Sequence, residues 1–251
     1  MNFLIDAFNT ILYRPLFNAL VILYQLIPGH DFGVAVILLT ILTRLIIYPF
    51  MAQSLRSQKV LTDLQPKIQE IQNKYKDDKE KQAQAMMETY RKEKINPFGG
   101  FLPLLIQIPI LIALYQVFWK GLRPEEMTNL YSFVSQPRII NPNFFGLINL
   151  AESSLILALI AAIFQFFQTK MLTLYQPVGL GKTPKKTDQM TQFSNLFQKQ
   201  MLYFFPIFTV LILWKLPAAI ALYWITTSLF SLVQQYLIFK PRSENLTASG
   251  K

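Results

Sequence analysis

One arginine, Arg44, lies inside an apolar run that extends over residues 32–52. About 20 apolar residues suffice to cross a bilayer. A guanidinium held mid-span costs roughly 2.5–3.5 kcal/mol even on the mild insertion scale, so it needs compensation. The usual compensation is a buried carboxylate, yet every Asp and Glu falls in a loop, a hairpin or a span edge. Arg44 must therefore meet water, neutral polar groups or a charge brought from outside. A wet, positive cavity within a membrane protein would attract anionic segments.

Other polar side chains recur inside apolar runs. Thr40 stands one turn before Arg44 and shares its face. Gln107 lies near the middle of a second run, Gln165 and Gln168 on one face of a third. A last run carries Tyr223, Trp224, Thr226, Thr227, Ser228 and Ser231. Singly, such residues ordinarily hydrogen-bond between helices. Beside an unpaired Arg44 they point to a shared polar groove. Arg44 is about eight residues from one end of its run and about twelve from the other, so the groove is expected wettest in the inner half of the membrane.

Other chemistries find no support. There is no cysteine, hence no disulfide, thiolate site or lipidated cysteine, and the lone His30 has no ligand cluster around it. No cofactor or metal is expected. Gly179-Leu180-Gly181-Lys182-Thr183 resembles the end of a phosphate-binding loop, but Gln176 stands where that loop needs glycine and Pro184 follows where a helix should start. Asn245-Leu246-Thr247 fits a glycosylation sequon on an expected cytoplasmic tail. No nucleophile–base–acid set and no pair of intramembrane carboxylates appears, so neither an enzyme nor an ordinary proton relay is expected.

The elements that must position these residues follow from composition. Hydrophobic residues make up 52% of 251 and charged residues 15%, against about 25% charged in soluble chains. The reading is an all-α polytopic membrane protein with five transmembrane helices around a hydrophilic groove. Residues 1–31 form an external, interfacial amphipathic helix. Spans cover 32–53, 97–120, 152–174, 201–215 and 216–239. Residues 54–96 form a cytoplasmic helical hairpin, 121–151 an external loop, 175–200 a cytoplasmic loop and 240–251 a cytoplasmic tail. In the hairpin, Leu61, Leu64, Ile68, Ile71 and Tyr75 make one apolar stripe, and Ala83, Met87 and Tyr90 a second. The fourth span is short, about 21 Å for roughly 14 residues. The net charge of +10 reads first as topology rather than nucleic-acid binding. The basic segments fall on one side when the N-terminus is outside and the C-terminus in the cytoplasm.

Several of these features together resemble the YidC/Oxa family of membrane protein insertases in a short bacterial form. They are the arginine-bearing first span, the charged hairpin, the breaker Asn96-Pro97-Phe98-Gly99-Gly100, and the runs from Pro103 through Gln107 to Pro109 and from Leu216 to Trp224. The resemblance implies a five-span core in the bacterial cytoplasmic membrane, with a groove open to cytoplasm and lipid. It implies that Arg44, Thr40, Gln107, Gln168, Tyr223 and Trp224 line the groove or touch substrate, and that the hairpin receives nascent chains. Its partners would be nascent membrane proteins and the lipid bilayer, with the ribosome and a Sec-type translocon as further candidates. The additional N-terminal span and external domain of Gram-negative members, and the long basic ribosome-binding tail of some relatives, have no counterpart among these residues. Two alternatives use the same residues: a small-anion transporter or channel built on Arg44, and an assembly platform for membrane proteins that translocates nothing.

Overall fold

The computed structural model describes residues 2–93, 102–120, 123–137, 139–173 and 202–239. The expected breaker at 96–100, the cytoplasmic loop 175–200 with the glycine-rich stretch 179–183, and the tail 240–251 lie outside the described residues.

The chain opens with α1 (Asn2–Phe8), a π-helical turn (Asn9–Tyr13) and α2 (Arg14–Leu26). On α2, Phe17, Leu20, Val21 and Tyr24 are buried, the i, i+3, i+4, i+7 pattern of one helix face. Asp31 then caps α3 (Phe32–Asp63), accepting from the Val34 N–H at 2.9 Å. α3 is longer than the expected span. Its 32 residues, about 48 Å at 1.5 Å each, run unbroken past residue 53. Residues 53–63 contain neither glycine nor proline. The polarity change there marks a change of surroundings, not the end of a helix.

Leu64 joins α3 to α4 (Gln65–Lys74), which pairs with α5 (Lys79–Lys92) as a hairpin. Asp78 caps α5 through the Lys81 N–H, Gln82 Nε2 donates across to the Gln72 carbonyl at 2.9 Å, and Lys67 pairs with Glu93 at 3.1 Å. The first expected stripe is observed, with Leu61 and Ile68 buried and Leu64, Ile71 and Tyr75 half-buried. The second holds only at Tyr90, which is half-buried; Ala83 and Met87 are exposed, and the covered side of α5 carries Gln82, Ala85, Met86, Thr89 and Tyr90. α5 is so polar that a three-residue apolar pattern could be read on more than one face.

The remaining helices are α6 (Leu102–Lys120), α7 (Leu155–Thr173), α8 (Leu202–Leu213) and α9 (Ala218–Phe239). α3 and α7 are both long and apolar enough to cross a membrane, while α6 and α8 contribute shorter apolar stretches. α9 has the length, but its tyrosine, tryptophan, hydroxyl and glutamine side chains dilute its apolarity. The protein is inside out by the standard of a soluble fold. Leu38, Leu42, Leu45 and Ile46 of α3, Ile156, Leu159 and Ile163 of α7, and Phe204, Ile207 and Leu211 of α8 are exposed, as a lipid-facing surface requires.

The dry core lies toward one end of the bundle, where residues 123–149 cover it. This segment holds a 3-10 turn (Pro124–Asn129) and a short hairpin of β1 (Asn143–Phe144) and β2 (Ile148–Asn149), with Asn143 opposite Asn149. Both central residues of its turn are left-handed, Phe145 at φ +50 and Gly146 at φ +71. The N-terminal helix is tied to this loop. Tyr13 donates to Glu126, and the Tyr24 hydroxyl accepts from Asn141 N–H at 2.9 Å. Burial, and then the Glu126 hydrogen bond, push the Tyr13 phenol well above its ordinary pKa, so it remains a neutral donor.

Asn18 is the centre of that attachment. Its Nδ2 donates to the carbonyls of Arg14 (2.7 Å) and Asn129 (3.1 Å), and its Oδ1 accepts from Tyr131 N–H at 2.7 Å. Asn18→Ala removes the partners of two loop backbone groups at a buried position. The expected loss is on the order of 1–3 kcal/mol, read as a lowered unfolding midpoint in detergent with faster amide exchange at Tyr131. An unchanged midpoint and unchanged exchange would show that the loop is held without it.

Candidate functional site: a polar cavity around Arg44

Toward the hairpin end, α3, α6, α7 and α9 draw apart around a cavity of about 360 Å3. Each contributes side chains at helical spacing: Arg44, Met51, Leu55 and Gln58 from α3; Gln107 and Leu111 from α6; Gln165, Gln168 and Leu172 from α7. From α9 come Tyr223, Trp224, Thr227, Ser231, Gln234 and Gln235. Among the described residues, Arg44 is the one charged residue in this lining.

Arg44 is 7% exposed. Its Nη2 donates to Ser231 Oγ at 2.9 Å and reaches the Thr227 carbonyl at 3.5 Å, while its Nε has no partner among the described residues. All its partners among the described residues are neutral, so none of them neutralises the cation. Around it, Gln107 Nε2 donates to the Tyr223 hydroxyl at 2.6 Å, and Trp224 Nε1 to Gln165 Oε1 at 2.8 Å. The buried Oε1 atoms of Gln58, Gln168 and Gln235 lack protein donors among the described residues. Buried polar atoms left open cost about 1–3 kcal/mol each unless water or a ligand meets them. Several around one cavity therefore mark it as a wet or ligand-binding space.

Five of the six residues singled out from sequence come together here: Arg44, Gln107, Gln168, Tyr223 and Trp224. Thr40 does not. It is fully buried, and its hydroxyl donates to the Val36 carbonyl one turn back. The reason is a closing layer. One turn from Arg44, Leu111, Gln165 and Tyr223, in the direction of the 123–149 loop, stand Thr40, Leu114, Ala161 and Ala219, each 0% exposed. The cavity ends at that layer. Gln58, Gln234 and Gln235 escaped the sequence reading, although Tyr223, Thr227, Ser231 and Gln235 recur every fourth residue and trace the wall along α9.

Comparison with known proteins places this architecture. The chain is 32% identical to the membrane protein insertase YidC of Fusobacterium nucleatum subsp. nucleatum over 210 residues, 84% of this chain and 87% of that protein. With the protein of the same name from Methylobacillus flagellatus it shares 33% identity over 231 residues, 91% of this chain but 36% of the relative. Among solved structures, a crystal structure of an active YidC insertase with its first transmembrane domain resolved matches with a TM-score of 0.54 at 26% identity. That match covers 89% of this chain and 46% of the other. The family model described as "60Kd inner membrane protein" matches residues 22–245, and with that extent of agreement the chain belongs to this family of bacterial membrane proteins.

Proposed function

We propose that this protein is a membrane protein insertase whose Arg44 cavity receives the polar end of a newly made membrane protein. The observation that carries the reading is a buried cation with no carboxylate partner among the described residues, in a cavity where neutral polar groups stand among apolar side chains. The usual partner of a structural arginine inside a membrane is a carboxylate. An arginine that serves a passing ligand keeps its charge available.

In this reading the five spans are α3, α6, α7, α8 and α9, with the 123–149 loop outside and the α4–α5 hairpin in the cytoplasm. The cavity then lies in the inner half of the bilayer. A substrate's short polar tail enters it, where wall amides and Arg44 replace lost water. Only the closed layer beyond remains to be crossed. The substrate's apolar helix then partitions into lipid, which contributes several kcal/mol over about 20 residues. No fuel cycle is required. For an acidic tail moving outward, the membrane potential adds about 2.3 kcal/mol per charge per 100 mV.

The test is reconstitution of this protein alone into liposomes, with a single-span substrate bearing an acidic tail. The expected result is tail protection from added protease well above that of protein-free liposomes. Protection no greater than in empty liposomes would overturn the insertase reading and favour an assembly platform.

A further inference from the structure

The cavity is unusual in what its walls are made of. α6, α7 and α9 contain six glutamines, and all but Gln116 line it. Gln58 of α3 makes a sixth lining glutamine. A charge-selective site would gather cations, but here there is one among the described residues. A site meant only to hold water could use serine and threonine. Glutamine carries an N–H2 donor and a C=O acceptor on one planar group, the same pair that a peptide bond presents.

These amides fall into two sets. Gln107, Gln165 and Gln234 are anchored, to Tyr223, Trp224 and the Tyr48 carbonyl respectively. Gln58, Gln168 and Gln235 keep a buried Oε1 without a donor among the described residues. The open acceptors require N–H donors. Arg44 Nε, the open donor, requires an acceptor. An extended polypeptide supplies both at every residue, whatever its side chains, and needs them supplied because it has no helix or sheet to pair its own backbone.

We infer that the glutamine wall binds the substrate tail through its peptide groups, with the open carbonyls of Gln58, Gln168 and Gln235 accepting from backbone N–H. This rests on the insertase reading above and extends it to the chemistry recognised. Arg44 adds a preference for acidic tails, and the glutamines make the site general. Tail length and available N–H groups then govern insertion of uncharged substrates more than side-chain identity does.

The experiment uses the wild-type protein in liposomes and two single-span substrates with the same apolar helix and neutral tails of equal length. One tail is built of alanine, serine and glycine. The other has the same side chains with backbone nitrogens methylated at alternate residues. A fluorophore at the tail tip, protected from an impermeant reductant after crossing, reports insertion without relying on a protease that methylation would block. The expected rate for the methylated tail is about five- to tenfold lower, the loss of one or two peptide hydrogen bonds. Empty liposomes should show the opposite order, because methylation lowers the cost of carrying a peptide group into lipid. In the triple variant Gln58→Leu, Gln168→Leu, Gln235→Leu the two tails should insert at one rate. Equal rates with the wild-type protein would overturn the inference while leaving the insertase reading intact. Failure to insert even the unmodified tail would remove both.

Discussion

Arg44→Glu inserts a substrate with an acidic translocated tail at least about fivefold more slowly than the wild type, and more slowly than Arg44→Ala. The estimate comes from two unit charges about 4 Å apart, which interact by about 1 kcal/mol in bulk water and about 4 kcal/mol near a protein surface. Arg44→Ala removes the attraction, and Arg44→Glu replaces it with repulsion. A neutral tail should lose less in either variant. Basic tails should recover in Arg44→Glu relative to Arg44→Ala. The measurement is initial insertion rate into liposomes for acidic, neutral and basic tails against all three proteins. If the three tails respond alike, the charge acts on the cavity's structure and not on the substrate. Ser231 and Thr227 hold the guanidinium through neutral groups, so the alanine variant leaves no buried carboxylate behind, and a folding defect is not the expected outcome.

The second large effect is expected at Ala161. It is fully buried on α7, sharing one face with Ala158 and Ala162 at i−3 and i+1. α7 packs more extensively on α9 than any other pair of helices described, and α9 begins with Ala218, Ala219 and Ala221, all 0% exposed. Small residues on both sides let two membrane helices approach closely. Ala161→Leu puts three extra carbons into that seam, at a cost of about 1–3 kcal/mol. It also acts one turn from Gln165, whose Oε1 holds Trp224 Nε1 at 2.8 Å. The expected outcome is a lower unfolding midpoint together with a shift of Trp224 emission, in a background where Trp119 and Trp214 are phenylalanine. Leu159→Phe, on the exposed side of the same helix, should change neither. Loss of stability without a change at Trp224 would separate the seam from the cavity.

The contrast between these two sites shows which parts were legible in the sequence. Arg44, Gln107 and Gln168 stand out because each polar residue interrupts an apolar background, and interruption is a strong signal. Gln58 lies where the sequence turns polar, so nothing sets it apart except its helical spacing from Leu55, whereas Gln234 and Gln235 interrupt an apolar run and their spacing from Ser231 was the signal that could have found them. Thr40 was placed with Arg44 by a correct periodicity. The periodicity could not tell that a turn of helix separates an open wall from a packed one, because that depends on Leu114, Ala161 and Ala219 arriving from three other helices. The 123–149 loop was legible only as a loop. Its order comes from partners far along the chain, such as Asn18 and Tyr24, that no local pattern announces. The length of α3 is not legible in the polarity pattern, because apolarity ends near residue 52 while nothing in residues 53–63 breaks the helix.

The layer formed by Thr40, Leu114, Ala161 and Ala219 has an electrical consequence. In the proposed reading, water filling the cavity up to that layer would be a conductor in contact with the cytoplasm, and the packed core beyond it an insulator. The transmembrane voltage therefore falls mainly across the insulating remainder, which is thinner than the whole bilayer, and the field there is correspondingly steeper. A charged tail feels little force while it fills the cavity and most of it during the last short stretch. In that reading the same layer would keep the conductor from reaching the far side, so that the protein could stay resident in an energised membrane without short-circuiting the gradient on which that force depends.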